Sequence, residues 1–164
     1  MKKFFKFFFR LFLFLILVVA IGLGTQYKAD LSLDTLKASY ANAESKFMEL
    51  QGMPVHYRDE GQGPPLLLIH GTGASLHTWD GWAEKLQLDF RVIRLDLPAY
   101  GLTGPHPQHL YEPENYVNLI HGFLEKLEVD SVYIAGNSLG GNIAWNYAFA
   151  HPKQVKKMIL IDPS

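Results

Sequence analysis

The sequence predicts an α/β domain, a mostly parallel sheet with an antiparallel hairpin at its N-terminal side. Three observations carry this. Short, nearly continuous apolar runs at 66–69, 92–95, 132–135 and 158–161 are rich in branched residues, the pattern of strands buried on both faces. Helix-period segments lie between them, so strand and helix alternate as a parallel sheet with crossovers requires. Ahead of the first run, residues 47–50 and 55–59 flank Gln51-Gly52, a hairpin turn in which glycine accepts positive φ.

Taken in order, the chain begins with a membrane-targeting segment. Lys2, Lys3, Lys6 and Arg10 precede an unbroken apolar run over 11–24, and Phe7, Phe8 and Phe9 extend it backwards. The Leu, Ile, Phe and Val residues of that run contribute about −3 to −6 kcal/mol to insertion, while the cations can snorkel at one end. A buried core helix would have to hide Lys6 and Arg10 and would lack a polar face. Residues 1–24 therefore read as a signal anchor or a signal peptide. Small residues at Ala20, Gly22 and Gly24 make only a poor cleavage site, and 7–23 is long enough to span, which favours the anchor. Four cations before the run, against Lys28 close after it, place the N-terminus in the cytoplasm and the remainder on the non-cytoplasmic side, or outside the cell if the segment is cut. Residues 25–46 are polar, with Leu33, Leu36 and Tyr40 at helical spacing, and read as a stalk; 47–164 reads as the domain.

Within 47–164, Tyr116, Ile120, Phe123 and Leu127 form one apolar stripe behind Pro113, which suits a first helical turn. Ile143, Ala144, Tyr147 and Ala148 form another, ended by His151-Pro152. At 164 residues there is room for one core. The net charge of −1 argues nothing about partners, but no basic stripe, zinc-finger spacing or aromatic RNA-binding motif appears, which argues against a nucleic-acid partner. The absence of cysteine removes disulfides and thiolate catalysis.

The chemistry concentrates in two loops. Gly136-Asn137-Ser138-Leu139-Gly140 is a G-x-S-x-G pattern standing between a predicted strand and a predicted helix, where a nucleophile elbow belongs. A serine at so sharp a turn is strained, and Gly136 and Gly140 omit the Cβ atoms that would keep the backbones apart. The helix beginning at Leu139 directs free N–H groups at the site, where they stabilise growing negative charge. His70-Gly71-Thr72-Gly73 follows the strand 66–69 and supplies the other half of an oxyanion hole. Leu139 N–H is one donor, and Thr72 is the first choice for the second, ahead of Gly73. His70 and Gly71 read as shaping the loop, with His70 no general base. His106 and His109 lack a third ligand nearby, so no metal is expected, and no phosphate-binding glycine fingerprint or other cofactor signature is present.

HGTGAS after a strand, then LDLPAYGLTG, then GNSLGG resemble the α/β-hydrolase superfamily over about residues 47–164. The G-N-S-x-G-G elbow and the H-G-x-G loop look like its esterases and carbon–carbon bond hydrolases. Relatives that open epoxides or remove halides carry aspartate at the elbow, so Ser138 argues against those activities. Ala99 departs from the glycine that many relatives have in the turn after Asp96-Leu97-Pro98. The resemblance implies a serine hydrolase that acts on a small-molecule ester or related carbonyl through an acyl-enzyme. It also implies an acid after a later strand, a histidine near the C-terminus and an inserted cap. None of these is found before Ser164, so the chain is expected to be an N-terminal fragment, its last strands and cap elsewhere and its own activity nearly nil. Asp162, just after the strand 158–161, stands where a minority of relatives place the acid. His56, His77, His106, His109, His121 and His151 lie where the family has no base. The competing reading is a non-catalytic relative that keeps the pocket to bind a ligand, or an inactive truncated chain.

Overall fold

Each apolar run becomes a strand in the computed structural model, which describes residues 2–164. Two units are distinguished, Met1–Ser32 and Leu33–Ser164. The first contains helix α1 (Lys2–Gln26), whose mean hydropathy reaches 2.6, long and apolar enough to cross a membrane by length and composition.

In the second unit come α2 (Leu33–Tyr40), β1 (Lys46–Leu50), β2 (Met53–Glu60), β3 (Pro65–Ile69), a 3-10 turn (Leu76–Trp79) running into α3 (Asp80–Leu86), β4 (Arg91–Leu95), α4 (Pro113–Lys126), β5 (Val132–Asn137), α5 (Leu139–Ala150) and β6 (Val155–Ile161). The sheet order is β1-β2-β4-β3-β5-β6. β1 and β2 pair antiparallel, as do β2 and β4; the remaining pairs are parallel. This is the α/β-hydrolase arrangement the motifs imply. The hairpin turns on Gln51 and Gly52 with φ of 51° and 78°, the left-handed pair that matches strand twist.

The continuity of the apolar runs has a direct cause. In β3, Leu67 and Ile69 face α4 and α5, packing with Ile120, Phe123, Ile143 and Tyr147, while Leu66 and Leu68 face the opposite layer with Trp79 and Ala83. β4 breaks the pattern at Arg94, which is 2% exposed. Burial works against its charge, but Glu60 holds the guanidinium with two bonds of 2.8 and 3.0 Å, and Asp80 and the Leu76 carbonyl take its remaining fork. A paired charge of this kind ties α3 to the sheet.

Part of the stretch read as stalk belongs to the folded unit. Helix α2 is in the same unit as the sheet, its Lys37 ammonium 4.8 Å over the Phe47 ring and its Tyr40 ring 6.3 Å from His77. The cause is the Leu33, Leu36 and Tyr40 spacing, which gives an eight-residue helix an apolar side to lay on the loops beyond β3 and β4.

Candidate active site

Register brings three strand ends level. Ile69 of β3 pairs with Leu95 of β4 and with Gly136 of β5, so the loops beginning at His70, Asp96 and Asn137 leave the sheet side by side at its C-terminal edge. Ligands bind at such edges in open α/β sheets.

Ser138 stands alone between the end of β5 and the start of α5, with φ 50° and ψ −118°. A side chain in that region costs about 1–3 kcal/mol and persists only where the surroundings enforce it. Glycines do so here. A Cβ on Gly136 would run into the Gly140 carbonyl, and one on Gly140 into the carbonyls of Ile69 and His70. On Gly71 it would stand 2.9 Å from Asn137 Oδ1 and 3.1 Å from Ser138 Cβ, which sets the HGTG loop directly against the serine. Polar stitches complete the turn. Ser138 N–H donates to Ile161 O (3.0 Å), while the Ser138 carbonyl accepts from Asn142 N (3.0 Å) and Ser164 N (3.3 Å). Asn137 Nδ2 reaches Ile161 O at 3.2 Å and Asn142 Nδ2 reaches Ser164 O at 2.7 Å. The first N–H groups of α5, from Leu139 onward, have no intrahelical acceptor.

His70 is fully buried, and both its ring nitrogens are engaged by backbone. Its Nδ1 donates to Gly71 O (2.8 Å), its Nε2 accepts from Leu97 N (3.0 Å), and the Tyr100 ring meets its edge at 5.4 Å. Burial pushes its pKa down, outweighing the Gly71 carbonyl and the Asp96 carboxylate. It is a neutral strut joining the HGTG loop to the loop after β4. Thr72 and Gly73 are exposed at the tip, Gly73 with φ 69°.

The loop after β4 hangs on Asp96, 1% exposed. Its carboxylate accepts from His56 Nδ1 (2.8 Å), Leu76 N (2.7 Å) and Leu102 N (2.8 Å). Burial raises the carboxyl pKa, but these three donors overcome that and hold it below the usual value. His56 Nε2 continues to Ser45 Oγ at 2.9 Å, and Thr103 Oγ1 donates to Asp96 O at 2.7 Å. Sequence reasoning assigned Asp96 no role; its position one residue past β4 inside LDLPAYGLTG is the signal that marks it. Ala99 takes φ 74°, a left-handed conformation that favours glycine.

The other histidines are engaged away from Ser138. His77 meets Asp80 at 3.2 Å, His106 lies against Gln51 and Gln108, His109 beside Tyr111, and His121 stacks on His151 with ring centres 4.2 Å apart. Asp162 follows β6, exposed, with φ 41°. Among the described residues no three His, Cys, Asp or Glu side chains gather as a metal site.

A serine held at a strand-to-helix elbow, against a glycine loop at the edge of a parallel sheet, defines the α/β class of hydrolytic folds. The chain belongs to the α/β hydrolase fold family, whose sequence pattern matches residues 64–164. It is 35% identical to a 2-hydroxy-6-oxo-2,4-heptadienoate hydrolase of Pseudomonas putida over 73% of this chain and 45% of that protein. It is 34% identical to a pimeloyl-[acyl-carrier protein] methyl ester esterase of Vibrio vulnificus over 67% of this chain and 41% of the esterase. Among solved structures, a bacterial membrane phospholipase A superposes with a TM-score of 0.71 at 33% identity, over 94% of this chain and 52% of the other. The chain thus spans about half the length, or less, of these relatives.

Proposed function

We propose that the protein of which these residues are part is a serine hydrolase of esters or related carbonyl compounds. Ser138 Oγ adds to the carbonyl carbon and passes its proton to a histidine, and the oxyanion rests on the amides of Leu139 and Thr72, with Gly73 as alternative to Thr72. Collapse expels the alcohol, which takes the proton, and water then cleaves the acyl-enzyme. The observation carrying this reading is the strained φ of Ser138, enforced by glycines on both sides and by Gly71 across from it.

The base is a histidine outside residues 1–164. Two facts support this: all seven histidines of the sequence have partners or places elsewhere, and the relatives are about twice as long. Asp162, whose neighbour Ile161 bonds the Ser138 backbone, is the candidate acid within this stretch. The 164 residues alone would keep only what binding and the oxyanion hole supply, since losing a triad base costs about 10⁶ in turnover. We also place the protein in a membrane through residues 7–23, domain on the non-cytoplasmic side. The charge asymmetry about α1 supports the orientation, and the membrane phospholipase supports the membrane alone: the first 32 residues are about a fifth of the chain, so 94% coverage includes most of them.

The test is a fluorophosphonate probe on the full-length protein, with the modified peptide identified by mass spectrometry. A single adduct on Ser138, abolished in Ser138→Ala, is expected; an unlabelled Ser138 overturns the reading and leaves the non-catalytic binder.

A further inference from the structure

Helix α2 does more than join the sheet unit. With Leu36 and Tyr40 it walls a pocket of about 220 Å³ whose other sides are Ser75, His77, Asp96, Gly101 and Leu102. An apolar cavity of about 150 Å³ already admits benzene, so this one takes a larger group. Ser75 belongs to the loop that begins at His70, and Asp96, Gly101 and Leu102 to the loop after β4. The pocket is therefore walled by two loops that leave the same sheet edge as the elbow. β4 is two strands from β5, and at about 4.8 Å per strand Asp96 lies roughly 10 Å from the elbow.

The lining selects the chemistry of the guest. Leu36, Leu102 and the Tyr40 ring are apolar. Asp96 has already committed most of its carboxylate to three N–H donors, and its charge repels an anion. His77 donates its Nδ1 hydrogen to Asp80, and its Nε2 is buried without a partner. As an acceptor, that nitrogen offers nothing to an anion. We propose that this is the subsite for an uncharged alkyl chain of the substrate, and that Leu36 and Tyr40 are specificity-determining residues. The segment directly following the membrane-type helix then sets which chain lengths are accepted. The inference rests on Ser138 being the nucleophile, since only then is the pocket part of a substrate site.

Two arms test it on the full-length protein in lipid nanodiscs. In the first, kcat/KM is compared for p-nitrophenyl octanoate against acetate, which lengthens the acyl side, and for octyl against ethyl acetate, which lengthens the alcohol side. Leu36→Trp fills the pocket and is expected to lower the long-to-short ratio about tenfold, the worth of roughly two buried methylenes, on one side only. That side is the half of the ester the pocket holds. Leu36→Ala, which enlarges the pocket, should shift the preference towards longer chains; ratios unmoved in both variants overturn the proposal. In the second arm, 1-octanol is titrated calorimetrically into Ser138→Ala protein, with empty nanodiscs subtracted. Binding weakened about tenfold by Leu36→Trp supports the pocket even if no ester is turned over, in which case the nucleophile assignment alone fails. Octanol binding that is absent, or indifferent to Leu36→Trp, sinks the pocket whatever the esters do.

Discussion

Two loops at the sheet edge, one strand apart across β3, each hold a non-glycine residue at positive φ, Ser138 at 50° and Ala99 at 74°, and they are held by opposite means. The elbow is closed by what is missing: Gly136, Gly140 and Gly71 let backbones approach where a methyl group would collide. The loop after β4 is closed by what is present, a buried carboxylate gathering His56, Leu76 and Leu102. Strain at Ser138 presents a hydroxyl where the proposed reaction uses one. Strain at Ala99 presents only a methyl group, so it can be relieved without cost to the site.

The comparison can be broken at three points. Gly140→Ala drives a Cβ into the Ile69 and His70 carbonyls, so the elbow must open or β3 must move; a loss of about 3 kcal/mol or more is expected in denaturant unfolding, and an unchanged midpoint would show the close approach to be unnecessary. Asp96→Asn turns one acceptor oxygen into an NH₂ group facing donors, with an expected loss of about 2–3 kcal/mol. The folded-state pKa of Asp96 is depressed, so its stabilisation is fully present above about 3.8 and is lost as pH falls below that value through the folded pKa. Acid unfolding of the Asn variant should accordingly be shallower below pH 3.8 than that of the parent; equal slopes would deny the carboxylate its role. Ala99→Gly is the smallest change. Release of the left-handed strain, partly offset by the entropy of the unfolded glycine, should stabilise by about 0.5–1 kcal/mol, read as a raised unfolding midpoint with hydrolysis unaltered.

What was legible in the sequence follows the same division. Backbone-driven features were readable: β3, β4 and β5 announced themselves because both faces are buried, β6 showed the same apolar run although residues 156–160 are exposed, and the elbow stood out because glycine at 136 and 140 has few other uses beside a serine. Features built from side chains distant in sequence were not. Arg94 sat unremarked inside an apolar run, since Glu60 and Asp80, which neutralise it, lie 34 and 14 positions away. The same holds for Asp96 with His56, which are 40 positions apart. Helix α2 was taken for a stalk because eight residues with three apolar positions do not reveal what they rest on. Of the loop after β4 only Ala99 stood out, as a departure from the family, and the structure gives it the left-handed conformation that makes the departure costly.

The stitches between the elbow and the end of β6 impose an order on biosynthesis. Ser138 N–H cannot find its acceptor until Ile161 exists, nor its carbonyl the N–H of Ser164. Translation at about 5–20 residues per second leaves the GNSLGG segment without these partners for on the order of seconds after it is made. During that interval the serine turn lacks the bonds that tie it to the end of β6, so the nascent chain carries Ser138 before it can hold the strained elbow closed.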